Sequence, residues 1–274
     1  MTSHPHQTNA VLRERAGLPV LHWPALDAVD LQAVATTRDG GVSTGPYASL
    51  NLGLHVGDDP EAVRTNRERA AGAVGLRLDD LVFCNQAHGR EVVTVRATDR
   101  GRGARSLADA VDQADALVTA EPGVGLVVMV ADCVPIVLMD PERRVLGVVH
   151  SGWRGTVAKV AAAAVATMTA MGARPEAILA AIGPAIAPER YEVGPEVVRA
   201  AHDAFGADAA QVIAELPNGK HCFDLWRANR LVLTDAGIPA ANLLSGEQPT
   251  GAGTPYFSDR AVRPCGRFAA IARL

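Results

Sequence analysis

The sequence predicts a single domain of the α+β or mixed α/β class, and three observations carry that expectation. Four β-type runs follow one another through the middle of the chain: ADALVTA, GLVVMVAD, VPIVLMD and RVLGVVHSG. Two of them are apolar nearly throughout, which places them centrally in a sheet covered on both faces. Segments with helical start and stop signals flank this block on either side. Finally, no internal repeat and no low-complexity linker divides the 274 residues, a length ample for a core that needs no staples.

Residues 1–30 are rich in proline, histidine and short polar clusters, and read as an extended N-terminal arm or edge strand with a mobile start. From Ala33, AVATTRDGGVS reads as strand, loop, strand, with Asp39-Gly40-Gly41 as the turn. Asp58-Asp59-Pro60-Glu61 supplies an acidic cap, a first-turn proline and a further acid, so a helix is expected from 60 to about 73, ended by Gly75. LVFCNQAHG and EVVTVRA read as a pair of strands joined by the turn Asn85–Gly89, which puts His88 on a loop.

After the central block, SGWRGTVAKVAAAAVATMTAMG predicts an alanine-rich helix from about Gly155 to Met171, stopped by Gly172. AILAAIGPAIA is a further strand and loop, and PEVVRAAHDAFG a short helix. In FDLWRANRLVLTDAG, Asp224 caps a helix and Gly237 lies just past its end. GRFAAIARL closes the chain as a strand.

Composition excludes several function classes. The formal net charge is −4 and no Lys/Arg run appears, so the electropositive footprint of a nucleic-acid binder is missing. The most apolar stretch, Gly125 to Met139, contains Asp132 and Pro135 and falls short of a membrane span. The N-terminus lacks an apolar core followed by a small-residue cleavage site, so a cytoplasmic location is expected. The cysteines at 84, 133, 222 and 265 have no C-x-x-C spacing, which argues against a disulfide framework and a zinc ribbon.

Three residues stand out chemically: His88 in NQAHG, Cys133 in ADCVP and His150 in HSGWRG, each at a strand end beside a turn or glycine. Two imidazoles and a thiolate form a borderline-soft ligand set suited to zinc or copper, and three protein ligands leave one tetrahedral position open. Singly each signal is weak, because an isolated cysteine beside an apolar strand is most often a small buried hydrophobe. Spacing does not choose this trio: nothing local sets His22, His55, His202 and His221 apart from the other histidines.

The choice comes from a resemblance. NQAHG, ADALVT, ADCVPIVLMD and VVHSGWRGTV resemble the signature of the laccase-domain, or polyphenol-oxidase-like, proteins associated with purine nucleoside phosphorolysis and also described as peptidoglycan-editing-factor-like. TTRDGGVS, NLGLHVGDDPEAVRTNR, IGPAIAPERYEVGPEV, FDLWRANR and YFSDR extend it over about residue 33 to the end. The resemblance implies a layered α/β/β/α catalytic domain over 31–274, and it matches His88, Cys133 and His150 to the family's zinc-binding residues. Cys133 has a second reading as a thiolate nucleophile; the ligand reading is preferred. Two departures stand out. Ala185 replaces a cysteine frequent after IGP. Asp259, Arg260 and Ala261, with a shortened loop before Cys265-Gly266-Arg267, replace an aromatic and two arginines.

Other residues carry narrower expectations. Arg154, after Trp153 and just before a helix, is placed to clamp an anion such as phosphate, or else it bonds strand-end carbonyls while Trp153 packs in the core. Gly152 and Gly155 permit the turn. Asp115 is a candidate general base or orienting carboxylate, Asp132 a structural one. Arg38 and Arg260 are candidate substrate contacts, while Asn51 and Arg267 lie in matched segments or near the same end. Asn85 and Gln86 are expected to bond local backbone.

The implied activity is a metal-dependent phosphorylase acting on purine nucleosides (adenosine, inosine, methylthioadenosine) with phosphate, and deaminating adenosine as well, in a monomer or homodimer. Alternatives are an amidase-type hydrolase editing nucleotide-linked cell-wall precursors through Cys133, a copper polyphenol oxidase, and a non-enzymatic metal-binding protein. The oxidase is disfavoured by only 8 histidines with no H-x-H pair in the matched region. The non-enzymatic reading is disfavoured because no fourth ligand matches.

Overall fold

The computed structural model describes residues 9–274. Two six-stranded sheets organise them. The first has the spatial order β1 (Val11–Arg15), β2 (Leu18–His22), β3 (Gln32–Thr36), β12 (Phe268–Arg273), β7 (Gly125–Val130), β4 (Leu81–Phe83). Its neighbours are antiparallel except β7 with β4. The second runs β11 (Leu243–Ser245), β10 (Leu179–Ile182), β8 (Val134–Asp140), β9 (Val145–Ser151), β6 (Ala116–Thr119), β5 (Val92–Thr94), with parallel pairs at its two edges only.

The period of two along a strand explains the layering. On β7, Leu126 and Val128 face the second sheet and join Leu117, Val137, Leu146 and Val148 in the core between the sheets. Their neighbours Val127 and Met129 face the other way, against Ala70 and Ala71 of α2 (Pro60–Gly72). The outer face of the second sheet, Val118, Ile136, Leu138 and Val149, is covered by α4 (Val160–Ala170) and α7 (Leu225–Asp235). Both faces of the central strands are thus dry, which is why β7, β8 and β9 are buried at every position and why they read as continuous apolar runs. This is the layered α/β/β/α single domain expected. The smaller helices are α1 (Pro24–Asp27), α3 (Trp153–Val157), α5 (Pro195–Phe205) and α6 (Ala209–Val212).

Caps follow the sequence: Asp59 accepts from Glu61 N at the start of α2, and Asp224 from Arg227 N at the start of α7. Residues 11–22 form an antiparallel hairpin on the edge of the first sheet; the start expected to be mobile lies outside the described residues. Among the described residues, no helix is long and apolar enough to cross a membrane.

Three expectations are corrected. The runs LVFCNQAHG and EVVTVRA do not pair: β4 and β5 belong to different sheets, and each finds a parallel partner, which a tight turn cannot provide. The loop carrying His88 therefore crosses between the two sheets. AVATTRDGGVS has no second strand; after β3 the chain runs through a loop stitched by Asn66, whose side chain accepts from Val42 N and donates to the carbonyls of Ser49 and Asn51. The alanine-rich helix starts earlier, at Trp153, and is broken at Lys159, which takes a left-handed conformation (φ 60°) between α3 and α4. That break leaves α3 beside the His88 loop while α4 lies flat on the second sheet.

Candidate functional site

The two sheets open at one end into a cleft of about 590 Å³ with His88, Cys133 and His150 in its wall. Their ligand atoms lie within 4.8 Å of one another, and the two imidazole rings meet edge to face at 4.7 Å. Each arrives from a different element: the intersheet loop, the link between β7 and β8, and the end of β9.

Asp115, fully buried at the start of β6, ties two of the three together. Its carboxylate accepts from the backbone N–H groups of His88 (3.0 Å) and Gly89 (2.6 Å), fixing His88 in a left-handed backbone conformation of φ 57°. It also bonds His150 Nδ1 at 2.8 Å. With Nδ1 donating, the lone pair of His150 is left on Nε2. Burial opposes a charge on Asp115, but the hydrogen bonds from His150, Gly89 and His88 hold the carboxyl below the usual range.

Cys133 follows Asp132, a non-glycine residue at φ 93°. Such a conformation is strained by about 1–3 kcal/mol and is held by bonds from Thr250 Oγ1 and the Arg260 N–H to the Asp132 carboxylate. Asp132 is thus structural, and it fastens the C-terminal segment to the cysteine.

Burial alone would raise the Cys133 thiol, but the charge and hydrogen bond of His150, then those of His88, bring it down to about 6. Burial likewise opposes protonation of His150, which the Cys133 thiolate and Asp115 raise to about 9. In metal-free protein these two form a thiolate–imidazolium pair, lost as pH falls through about 6 or rises through about 9. Iodoacetamide is therefore expected to modify Cys133 with a midpoint near pH 6. Cys84, which burial pushes up to about 12, and Cys222 and Cys265, also raised by burial, should remain unmodified. A midpoint near the ordinary thiol value would contradict the pairing.

The donor set fits a metal ion. Ligand atoms sharing one zinc stand about 3.5 Å apart, so from separations of up to 4.8 Å the cluster needs to contract by at most about 1.3 Å. Gly152 keeps the space clear: a Cβ there would stand 2.9 Å from Cys133 Sγ and 3.2 Å from His88 Cδ2. Its backbone (φ −77°, ψ 176°) suits any residue. The expectation that Gly152 serves the turn is therefore corrected: it provides clearance. Gly155 does the same for the His88 loop, since a Cβ there would meet the Gly89 carbonyl at 3.1 Å.

The remaining predicted residues divide. Arg154 and Arg260 line the cleft. Arg154 lies within α3, not before it, and that helix has only 5 residues; its guanidinium sits 4.4 Å over the half-buried Trp153 ring and, among the described residues, has no hydrogen-bond acceptor. Arg267 also lines the cleft, paired with Asp259. Arg38 is elsewhere, in a separate 260 Å³ cavity, donating to the Ala48 carbonyl and stacked on Phe257. Asn51 is buried and accepts from Gly53 N and Arg267 N. Gln86 bonds the backbone N–H and carbonyl of Met129, prolonging the sheet beyond β4.

Sequence reasoning missed His55 and Tyr191, both in the cleft wall. Burial, then Arg267, Arg67 and His88, lower His55 to about 4. His55 had been grouped with the unmarked histidines; its only signal was its place in the matched segment NLGLHVGDD.

Fold and site together define a class: four-layered mixed α/β proteins with two imidazoles and a thiol gathered at one cleft. Within that class, the chain belongs to the family described as multi-copper polyphenol oxidoreductase laccase, whose model matches residues 32–274. A protein of Deinococcus radiodurans named purine nucleoside phosphorylase is 44% identical over 222 residues, 81% of this chain and 80% of its own length. One named adenosine deaminase RL5, from an unknown prokaryotic organism, is 38% identical over 233 residues, 85% of this chain and 89% of its own length. The crystal structure of YlmD from Geobacillus stearothermophilus superposes with a TM-score of 0.89 at 36% identity, covering 96% of this chain and 98% of that one.

Proposed function

We propose that the protein is a zinc-dependent purine nucleoside phosphorylase that also deaminates adenosine, and that it works in the cytoplasm. The observation that carries the reading is the meeting, in one open cleft, of a three-donor cluster with the guanidiniums of Arg154 and Arg260. In phosphorolysis a phosphate oxygen bonds to the ribose C1′ while the bond from C1′ to the purine nitrogen breaks, its electron pair leaving with the base. Phosphate is already a competent nucleophile, so the protein's task is to hold it in line and stabilise the shifting charge. Arg154, with no acceptor among the described residues, and Arg260, anchored through its N–H on Asp132, are the groups for that.

His88, Cys133 and His150 would hold the metal, with Asp115 keeping the His150 proton on Nδ1. When bound, zinc supplies the Lewis acidity that deamination of the purine ring requires. Names of relatives in both activity classes support the pairing. The free cysteines suit a reducing compartment.

The test is metal analysis of purified protein together with nucleoside turnover with and without phosphate. Stoichiometric zinc and phosphate-dependent ribose 1-phosphate formation, lost on chelation, are expected. Undiminished turnover in metal-free protein, or indifference to phosphate, would sink the reading. The thiolate–imidazolium pair favours one second reading, an amidase-type hydrolase, which would be recognised by an acyl adduct trapped on Cys133.

A further inference from the structure

The Tyr191 ring is held by two neighbours. One face stacks on Phe223, with centroids 6.5 Å apart and planes 19° from parallel, and the Arg260 guanidinium lies 5.1 Å over the ring. Its backbone is fixed as well: Tyr191 N bonds the Pro188 carbonyl, and its own carbonyl accepts from Phe223 N. Arg260 is in turn held by the Glu192 carbonyl and, through its N–H, by Asp132. These contacts hold the ring in the cleft wall.

That hydroxyl has no hydrogen-bond partner among the described residues, although the ring lines the cleft. Burial, then Cys133 ahead of the other neighbours, pushes it up to about 12, so it stays protonated and can donate at neutral pH. Its electrostatic surroundings also include Arg260, Asp132 and Arg154. Asp132 is already satisfied by Thr250 and Arg260. An unpaired neutral donor in the wall of one cleft with two guanidiniums that have no carboxylate partner among the described residues is a recognition set for a tetrahedral oxyanion.

We propose that the Tyr191 hydroxyl, together with Arg154 and Arg260, forms the phosphate subsite of the cleft. The inference rests on the phosphorylase reading and adds to it a residue and an atom. A ribose hydroxyl is the competing occupant. It is the less favoured one because a neutral sugar gains little from two cations, whereas a phosphate carries charge to neutralise and oxygens for three donors.

Tyr191→Phe is the direct probe, since it keeps the ring's contacts with Phe223 and Arg260 and removes one oxygen. A hydrogen bond to a charged group is worth roughly ten- to hundredfold in affinity. The KM for phosphate is expected to rise by roughly that factor, while the KM for nucleoside moves much less. An unchanged phosphate KM, or an equal rise in both, overturns the proposal; the equal rise would place the hydroxyl on the ribose or reveal a structural role. Calorimetric titration of inorganic phosphate into wild-type and Tyr191→Phe protein, without nucleoside, separates this proposal from the wider reading. Weaker binding by the variant supports it, and equal binding, or none by the wild type, overturns it. If wild-type protein binds phosphate through Tyr191 yet forms no ribose 1-phosphate, the phosphorylase reading fails and the subsite stands.

Discussion

Cys133→Ser is expected to lower zinc affinity by about two to three powers of ten. The binding free energy of a four-ligand zinc site is about 10–16 kcal/mol, so one ligand is worth about 2.5–4 kcal/mol. Serine keeps the shape but offers a hydroxyl that is not ionised near neutral pH and is a harder donor than thiolate. Nucleoside turnover should fall at least as far, to a level that added zinc partly restores. Asp115→Asn provides the scale: it disturbs the partner of His150 Nδ1 and the Asp115 oxygens that hold the His88 loop, yet leaves all three ligands in place. A loss of about 10–100-fold in metal affinity is expected there. Equilibrium zinc titration of the two variants checks the order. Wild-type zinc affinity in Cys133→Ser, combined with complete loss of turnover, would assign the sulfur to nucleophilic attack instead.

What could be read from the sequence divides along a physical line. Signals generated within a few residues were legible: the caps Asp59 and Asp224, the apolar runs of β7 and β8, and the position of His88 on a loop. These depend on local hydrogen bonding and on whether both faces of a strand are covered. Pairing is a different matter. Residues 81–83 and 92–94 look like a hairpin because they are close in sequence, but their partners come from residues 125–127 and 116–118, and no periodicity reports a partner that far away. The break at Lys159 is hidden for a similar reason, since an alanine-rich run has no local cause to stop and the bend answers to the His88 loop across from Gly155. The cluster itself was chosen by motif resemblance. Among the arginines, resemblance could not tell Arg38, anchored on Ala48, from Arg260. Tyr191 had no mark beyond its place in a matched segment, because what distinguishes it is a cleft-wall hydroxyl with no hydrogen-bond partner among the described residues.

Arg67→Ala should be the most damaging single change to stability outside the site. Arg67 on α2 is 0% exposed and has no carboxylate partner among the described residues. Its guanidinium is satisfied by carbonyls instead: Nε donates to Leu52 at 2.7 Å, and Nη1 to Gly103 at 2.6 Å and Ala104 at 2.9 Å. Nη2 reaches Met129 Sδ at 3.6 Å, and the group lies 4.0 Å over the Phe83 ring. Burial, then the nearby Arg64, lowers it to about 9, so it still carries its charge at neutral pH and serves as the shared donor for three loop carbonyls. Alanine would strand those carbonyls and leave a void beneath Phe83. Breaking a buried charged network costs about 3–5 kcal/mol, a large part of a stability of about 5–15 kcal/mol. At about 2–3 °C per kcal/mol for a chain of this size, the calorimetric midpoint should drop by about 6–15 °C. Lysine should not rescue it, since a single ammonium cannot span the fork between Leu52 and Gly103. Methionine, which fills the void but donates nothing, should fall between wild type and alanine if packing and hydrogen bonding both contribute. A midpoint for Arg67→Ala within about 2 °C of wild type would mean that water or loop movement satisfies those carbonyls, and that the 52 and 103–104 loops are not held by this side chain.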